Sequence, residues 1–326
     1  MSDLKNKIYY PIYFLSGEET YFIDKITDYI AKNVLTETEK AFNQMVMYGK
    51  DTTINDVDNN ARRFPMMSNH QVVIIKEAQN LKKIEDIIYY AEKPLKSTIL
   101  VLCYKYKTLD KRKKVYKVLE KSGVLFESPK LYDNKIPAWI VEYLKERNYT
   151  IDPVACRLIN DFLGNDLSKI ANELDKLAIT IKPGTQINSQ DIETNIGISK
   201  DYNTFELQNA LTEKDFLKAN RIVNYFKQNS KEHPIALTIT SLYFFYVKIL
   251  RYHYLKDKSP RNAAAVLQIN PYFIKDYENA AKKYNAAKTV NIISYLREYD
   301  MKSKGYGNVS ATEGELLTEL IFKILH

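Results

Sequence analysis

The chain has 326 residues, which is enough for two or three domains with sizeable hydrophobic cores. Only 9 Gly and 10 Pro occur, which argues against a β-sandwich built on many tight turns. The net charge of +8 makes nucleic acid a candidate partner, although 40 acidic residues leave a merely solvated lysine-rich surface as the alternative.

The cysteines and the apolar segments bear on the compartment. Cys103 and Cys156 lie in apolar periodic segments, which is typical of buried free thiols in a reducing cytoplasm and not of a disulfide framework. The N-terminal sequence M-S-D-L-K-N-K lacks the apolar core of a signal peptide. No apolar run approaches the roughly 20 residues that span a bilayer. We therefore expect a cytoplasmic protein that does not contact a membrane.

Residues 1–130 alternate between strand and helix periodicity. The predicted strands are Ile8–Leu15, Asn43–Tyr48, Gln71–Ile75, Thr98–Cys103 and Val124–Phe126. The predicted helices are Glu18–Lys32, Thr53–Phe64, Leu81–Ala91 and Asp110–Lys121. This alternation predicts βαβ units around a mostly parallel sheet. Uninterrupted apolar runs, such as V-V-I-I at 72–75, indicate strands that are covered on both faces.

From residue 134 onward the pattern predicts helices and no strand. A first group consists of Pro137–Arg147, Pro153–Leu163, Asp166–Thr180 and Gln190–Ile196. A second group consists of Asn203–Leu211, Glu213–Gln228, His233–Leu255, Arg261–Leu267, Pro271–Tyr284, Ala287–Met301 and Glu313–Leu325. We expect three domains: an α/β domain over 1–130, a small helical domain over 131–200 and a helical bundle over 201–326.

The first strand and helix carry the remains of a phosphate-binding loop. Ser16-Gly17 is predicted to turn out of the strand, where a P-loop NTPase places G-x-x-x-x-G-K-[ST]. Counted from Gly17, the second Gly would fall at Phe22, the Lys at Ile23 and the Ser/Thr at Asp24. Because none of these residues is present, no Lys reaches the phosphates and no hydroxyl is placed for magnesium. The sequence therefore predicts a degenerate P-loop.

The rest of the chain also lacks catalytic signatures. The strand Gln71–Ile75 is followed by Lys76-Glu77, where a motor ATPase has two acids, and one carboxylate beside a cation is a poor magnesium site. No G-x-S-x-G, H-E-x-x-H or C-x-x-C motif occurs. We expect a non-catalytic chain with no cofactor and no bound metal.

A pair of methionines follows the helix predicted over Thr53–Phe64. Pro65 cannot continue a helix, and Met66 and Met67 occupy the short connection to the next strand. Two adjacent Met residues on such a connection cannot easily both face the core. A projecting, flexible apolar pair suits a pocket on a partner protein. The alternative is that both side chains pack under the helix.

The densest basic stretch lies after the fourth predicted strand. Its cations are Lys105, Lys107, Lys111, Arg112, Lys113, Lys114 and Lys117. Within the stretch only Asp110 opposes them, and tyrosines are interleaved with them. The pattern predicts a possible contact with a DNA backbone. A solvated helix face is the alternative.

Six segments together resemble the delta subunit of the bacterial DNA polymerase III clamp loader. In the first domain they are Y-F-L-S-G-E-E-T-Y-F-I-D-K at 13–25, P-M-M-S-N-H-Q-V-V-I-I-K-E-A at 65–78 and T-L-D-K-R-K-K at 108–114. The later ones are D-F-L-G-N-D-L-S-K-I-A-N-E-L-D-K-L at 161–177, F-E-L-Q-N-A-L-T-E-K-D at 205–215 and L-R-E-Y-D-M-K-S-K-G at 296–305. They occur in the family's order, and the resemblance covers nearly the whole chain.

The resemblance implies an AAA+-like architecture, namely an α/β domain, a helical lid and a helical collar through which the loader assembles. It also implies a subunit of the DNA polymerase III holoenzyme, a nucleotidyltransferase complex, that does not itself bind or hydrolyse ATP. The family's α/β domain places a hydrophobic pair into a pocket on the sliding clamp and holds the ring open. That pair falls on Met66 and Met67, next to Phe64 and Pro65, although the family more often has Leu or Phe there.

The partners that the resemblance implies are the sliding clamp (beta), the gamma/tau and delta prime subunits through the collar, and primer–template DNA in the assembled complex. Another function class stays open at this point. The basic composition also suits a helical nucleic-acid-binding adaptor that has no clamp partner.

Overall fold

The computed structural model describes the backbone of residues 1–326 and every side chain except that of Asp133. The chain forms two compact units, residues 1–131 and residues 132–326. The first unit is an α/β domain, and the second is almost entirely helical. The division of the second unit near residue 200 into a lid and a collar stays a prediction.

The first unit is built on a five-stranded sheet. Its strands are β1 (Ile12–Gly17), β2 (Gln44–Tyr48), β3 (Gln71–Lys76), β4 (Thr98–Lys105) and β5 (Val124–Ser128). They lie in the order β2-β3-β4-β1-β5, and every neighbouring pair is parallel. Its helices are α1 (Ser2–Lys5), α2 (Thr20–Asn33), α3 (Glu37–Asn43), α4 (Ile54–Ala61), α5 (Ile88–Ala91) and α6 (Lys114–Ser122). The predicted parallel α/β domain is confirmed.

Both faces of this sheet are covered, as the uninterrupted apolar strands predicted. Ile12 and Phe14 of β1 join a core with residues of α4, α5 and α6. Tyr13 and Leu15, which alternate with them, join a second core with residues of α1 and α2. Successive side chains of a strand point to opposite faces. When both faces are covered, successive positions are all buried and the strand is apolar along its length.

Several predicted elements of the first unit are wrong in their bounds, and the first strand begins at Ile12 rather than Ile8. Ser16 and Gly17 continue β1 and do not form a turn, because Gly17 pairs with β4 and β5 at once. The continuous helix predicted over Leu81–Ala91 is broken, because Lys83 has a left-handed φ of 54° and only a short 3-10 turn and α5 follow it. The helix predicted from Asp110 begins at Lys114. The helix α3 was not predicted.

The second unit contains eleven helices. They are α7 (Ile136–Lys145), α8 (Pro153–Leu163), α9 (Leu167–Thr180), α10 (Ser189–Ile196), α11 (Thr204–Glu213), α12 (Phe216–Gln228), α13 (Ile235–His253), α14 (Pro260–Leu267), α15 (Ile274–Lys283), α16 (Ala286–Ser303) and α17 (Glu313–Leu325). The prediction that this region has no strand is wrong, since β6 (Thr150–Ile151) and β7 (Gln186–Ile187) form one short parallel pair.

One described helix, α13, is long and apolar enough to cross a membrane, judged by length and composition alone. Its buried side chains, including Leu242, Tyr246 and Ile249, belong to the core that α11, α12 and α14 to α17 share. A core helix that is covered on several sides has the same composition as a membrane-spanning one, because it too is apolar over most of its circumference.

Candidate functional site

The two methionines lie in a short connection between α4 and β3, here called the projecting segment (residues 62–68). The helix α4 begins at Thr53, whose side chain and that of Asp56 form a capping box. Val57 and Ala61 are fully buried and attach α4 to the core. The helix ends at Ala61, so the predicted end at Phe64 is wrong and the Phe64 ring is 77% exposed.

Two buried side chains from neighbouring strands explain the early end of α4. The Gln71 amide nitrogen lies within hydrogen-bond distance of the carbonyls of Asn60 (3.2 Å), Ala61 (3.3 Å) and Arg63, and its two N–H groups can donate to two of them at a time. The Thr98 hydroxyl donates to the Ala61 carbonyl at 2.7 Å. Because these donors satisfy carbonyls that the end of a helix leaves unpaired, the chain can leave the helix four residues before Pro65.

The projecting segment exposes a group of large apolar side chains. Met66 is 57% exposed, Met67 is fully exposed, and Pro65 is half-buried. Neither methionine packs under α4. Phe42 of α3 is 73% exposed and lines the same small pocket as Phe64 and Met66. Exposed apolar groups that cluster in this way mark interaction sites more often than single exposed residues do.

The helix α3 holds the projecting segment from the side. The Asn43 side-chain oxygen accepts a hydrogen bond from the Met66 backbone N–H at 2.6 Å, and its nitrogen donates to the Met66 carbonyl at 2.9 Å. Asn43 is buried, with 4% of its surface exposed. Sequence reasoning missed Asn43 and Phe42. The signal that could have found them is T-x-x-E at 36–39, since Thr36 and Glu39 form the capping box that starts α3.

Glu39 of α3 interacts both with Thr36 of this capping box and with Ser68, the residue after Met67. The pKa of the Glu39 carboxyl is lowered because the backbone N–H and then the hydroxyl of Thr36 donate to it, with a smaller contribution from the Ser68 hydroxyl. Met67 itself has a left-handed φ of 55°. Residues on both sides of Met67 therefore interact with α3.

The remains of the phosphate loop are closed by the chain's own backbone. The Gly17 N–H donates to the Lys107 carbonyl at 3.0 Å, and the Gly17 carbonyl accepts from the Tyr106 N–H at 2.8 Å. The Glu19 N–H donates to the Ser128 carbonyl at 3.1 Å. A phosphate cradle needs backbone N–H groups that point at the ligand, and these N–H groups already have partners.

The three positions where a P-loop would continue lie in α2. Ile23 is fully buried in the core, and Phe22 is half-buried beside it. The Asp24 carboxylate lies 2.8 Å from the Lys105 ammonium, which also lies 3.6 Å from Glu77. Burial lowers the pKa of Lys105, but the hydrogen bond and charge of Asp24 outweigh burial and raise it above its ordinary value. An ion pair thus takes the position that a magnesium-binding hydroxyl would need.

We expect the purified chain to show no binding of Mg-ATP in isothermal titration calorimetry. The N–H groups of Gly17 and Glu19 are already paired, and no cation replaces the missing Lys at the buried Ile23. A P-loop ATPase titrated in the same buffer serves as the positive control. Saturable binding at micromolar ATP would contradict the expectation.

The basic stretch is largely neutralised by acids from elsewhere in the fold. The ion pairs are Lys105–Asp24 (2.8 Å), Lys111–Glu127 (2.9 Å), Arg112–Asp110 (2.8 Å), Lys113–Glu85 and Lys114–Glu92 (3.0 Å). Asp110 is the only acid within the stretch, but acids from other parts of the fold pair with four more of its cations. Among the described side chains of the stretch, Lys107 and Lys117 are exposed and form no ion pair. A contact of these residues with DNA stays a prediction.

Family models and a curated relative both identify similarity to the same protein family, and together they cover most of the chain. The family model for the delta subunit of DNA polymerase III matches residues 13–128, and the model for the C-terminal domain of that subunit matches residues 201–322. The chain is 27% identical over 314 residues to DNA polymerase III subunit delta of Bacillus subtilis (strain 168), which covers 92% of this chain and 90% of that protein.

The fold is similar to a solved structure as well. The Bacillus subtilis DNA clamp loader delta protein matches with a TM-score of 0.55 and 22% identity, covering 99% of this chain and 98% of the other. This likeness supports the fold. The two family models together match well over half of the chain. The chain therefore belongs to the family of DNA polymerase III delta subunits.

Proposed function

We propose that this chain binds the sliding clamp through the projecting segment and holds the ring open, so that the clamp can be loaded onto primed DNA. The observation that carries the proposal is the exposure of the adjacent Met66 and Met67, together with Phe64, on a segment attached to the buried Asn43. Membership of the delta family supports the clamp as the partner.

The proposed opening works through differential affinity and needs no chemistry in this chain. ATP binding by the motor subunits frees the projecting segment, and Met66 and Met67 enter a pocket on the clamp with Phe64 behind them. If the bound shape of the clamp is incompatible with a closed ring, binding raises the population of open rings. Burying two Met side chains supplies roughly 3–6 kcal/mol, at about 1.5–3 kcal/mol each, minus the cost of ordering them.

The remaining assignments of the family are part of the same proposal. Residues 201–326 form the collar that joins the gamma/tau and delta prime subunits, and residues 131–200 form the lid. Primer–template DNA is a partner in the assembled complex. A role in replication supports the cytoplasmic location that Cys103 and Cys156, both buried free thiols, also fit.

The test is a titration of the purified chain with the sliding clamp of the same organism. Micromolar or tighter binding that depends on Met66 and Met67 supports the proposal. Absence of binding by the wild-type chain would leave the family assignment in place and overturn the clamp-opening role.

The alternative of a nucleic-acid adaptor rests on the net charge of +8. We expect clamp binding to change less than about threefold between 50 and 200 mM salt, because the side chains proposed to enter the clamp, Met66 and Met67, are apolar. An adaptor that makes six or more phosphate contacts would lose roughly a thousandfold in DNA affinity over the same range. The measurement is a pair of titrations, one with clamp and one with primed DNA, at four salt concentrations. Tight DNA binding with a steep salt slope, and no clamp binding, would favour the adaptor.

A further inference from the structure

We propose that Asn43 is a positioning residue for clamp binding, which fixes the backbone of Met66 so that the two methionines meet the clamp already in place. The inference rests on the proposed clamp-binding function. It adds a residue from a different helix, α3, that does not touch the partner because its side chain is buried.

One buried amide makes three hydrogen bonds, two to the projecting segment and one within α3. The Asn43 oxygen accepts from the Met66 N–H, while its nitrogen donates to the Met66 carbonyl and, at 3.1 Å, to the Glu39 carbonyl. The reversed orientation of the amide would set its oxygen against two carbonyls and its nitrogen against an N–H. The hydrogen-bond pattern therefore fixes this orientation.

Hydrogen bonds from buried amides hold the backbone of the projecting segment at two points, and the exposed apolar side chains lie between or next to these points. At its start, the Gln71 amide donates to the Arg63 carbonyl. Near its end, the Asn43 side chain forms hydrogen bonds with both the N–H and the carbonyl of Met66. Phe64 projects between these points, and Met67 follows the second one in a left-handed conformation that a side chain rarely adopts unsupported. The exposed methionines therefore project from a backbone whose conformation is fixed by the buried side chains of Gln71 and Asn43.

Such an arrangement lowers the cost of binding. A loop that samples many conformations binds with its intrinsic affinity reduced by the fraction of time it spends in the competent one. Fixing the loop beforehand removes that reduction, and the ordering entropy is already spent on folding. The exposed Met residues are flexible beyond Cβ, but the direction in which they leave the surface is decided by the Met66 backbone.

The test compares Asn43→Ala and Asn43→Asp with a matched control, Asn33→Ala. Asn33 of α2 makes the same kind of bond to the carbonyl four residues earlier, that of Tyr29, at 2.9 Å and has no bond to the projecting segment. Two quantities are measured: the affinity of each chain for the clamp, and the hydrogen exchange rate of the Met66 amide in the free chain.

We expect Asn43→Ala to bind the clamp about tenfold more weakly and to exchange the Met66 amide faster. Asn43→Asp keeps an acceptor for the Met66 N–H but sets a carboxylate oxygen against the carbonyls of Met66 and Glu39, so the clamp affinity should fall and the Met66 amide should exchange faster, as in Asn43→Ala. The control should match the wild type in both. A merely structural role of Asn43 would lower the melting temperature and leave the clamp affinity, measured well below melting, unchanged.

Each failure has its own reading. If Asn43→Ala is folded and binds like the wild type, or binds weakly with unchanged Met66 exchange, the positioning role is overturned and clamp binding stands. If Asn43→Ala does not fold, Asn43→Asp decides by the same criteria. If Met66→Ala/Met67→Ala binds the clamp like the wild type, the proposed function fails, and the positioning role fails with it.

Discussion

Replacing Met66 and Met67 together with Ala is expected to abolish clamp binding and to leave the fold intact. The loss of two Met side chains from an apolar pocket removes roughly 3–6 kcal/mol of burial. Since about 1.4 kcal/mol corresponds to a factor of ten, the affinity should fall at least about a hundredfold. The measurement is a titration of wild-type and double-mutant chains with the clamp of the same organism.

The fold should not change, because neither side chain supports the core. Met67 is fully exposed and Met66 is more exposed than buried, so the free energy of unfolding should change by less than about 0.5 kcal/mol. Both substitutions keep Cβ, and the backbone bonds of Met66 to Asn43 remain possible.

A matched control is Met301→Ala, at an exposed Met of α16 far along the chain from the projecting segment. It removes the same side chain from the surface and should bind the clamp like the wild type. Normal affinity in a folded Met66→Ala/Met67→Ala chain would refute the assignment of the clamp-binding residues. Equal losses in both variants would point to a non-specific effect of surface hydrophobicity.

The sequence predicted that the two methionines lie on the connection before the third strand, but it did not predict the hydrogen bonds from Asn43 that fix the Met66 backbone. Pro65 and the adjacent Met pair are local signals, and local signals predicted an exposed connection. Asn43 acts on Met66 from 23 residues away in the chain. The capping box at 36–39 indicates α3, but no periodicity indicates which backbone group a buried amide will contact.

The basic stretch shows the opposite error, since a local pattern overstated the free charge. Lys113 and Lys114 lie three and four residues after Asp110, yet in the fold they pair with Glu85 and Glu92, which are distant in sequence. Most strands were predicted close to their observed positions because each is an apolar run of its own, and such a run is visible without knowing the rest of the fold. Contacts between distant segments are not.

The second large effect concerns Gly17. We expect Gly17→Ala to destabilise the first unit by about 3–5 kcal/mol, even with no nucleotide present. A Cβ on Gly17 would lie 2.1 Å from the Ser128 carbonyl oxygen, and the Gly17 φ of 127° is one that L side chains rarely adopt. Thermal unfolding followed by circular dichroism at 222 nm measures the effect, with an expected loss of roughly 10 °C.

Gly305→Ala separates the two causes. Gly305 also has a positive φ, 88°, but no atom within 4 Å of the position of its Cβ, so only the backbone strain applies. It should cost about 1 kcal/mol. If Gly17→Ala costs no more than Gly305→Ala, the close approach of β5 to β1 is not what requires a glycine there.

The outcome also decides what the glycine after the first strand is for. In a P-loop the glycine serves the phosphate, and its loss is felt when nucleotide binds. Here Gly17 pairs with Lys105 of β4 and Ser128 of β5, and its N–H and carbonyl bond to the backbone of residues 106 and 107. A large loss of stability in nucleotide-free protein would show that the position now serves sheet packing, because the same close approach that excludes a Cβ also closes the loop against a phosphate.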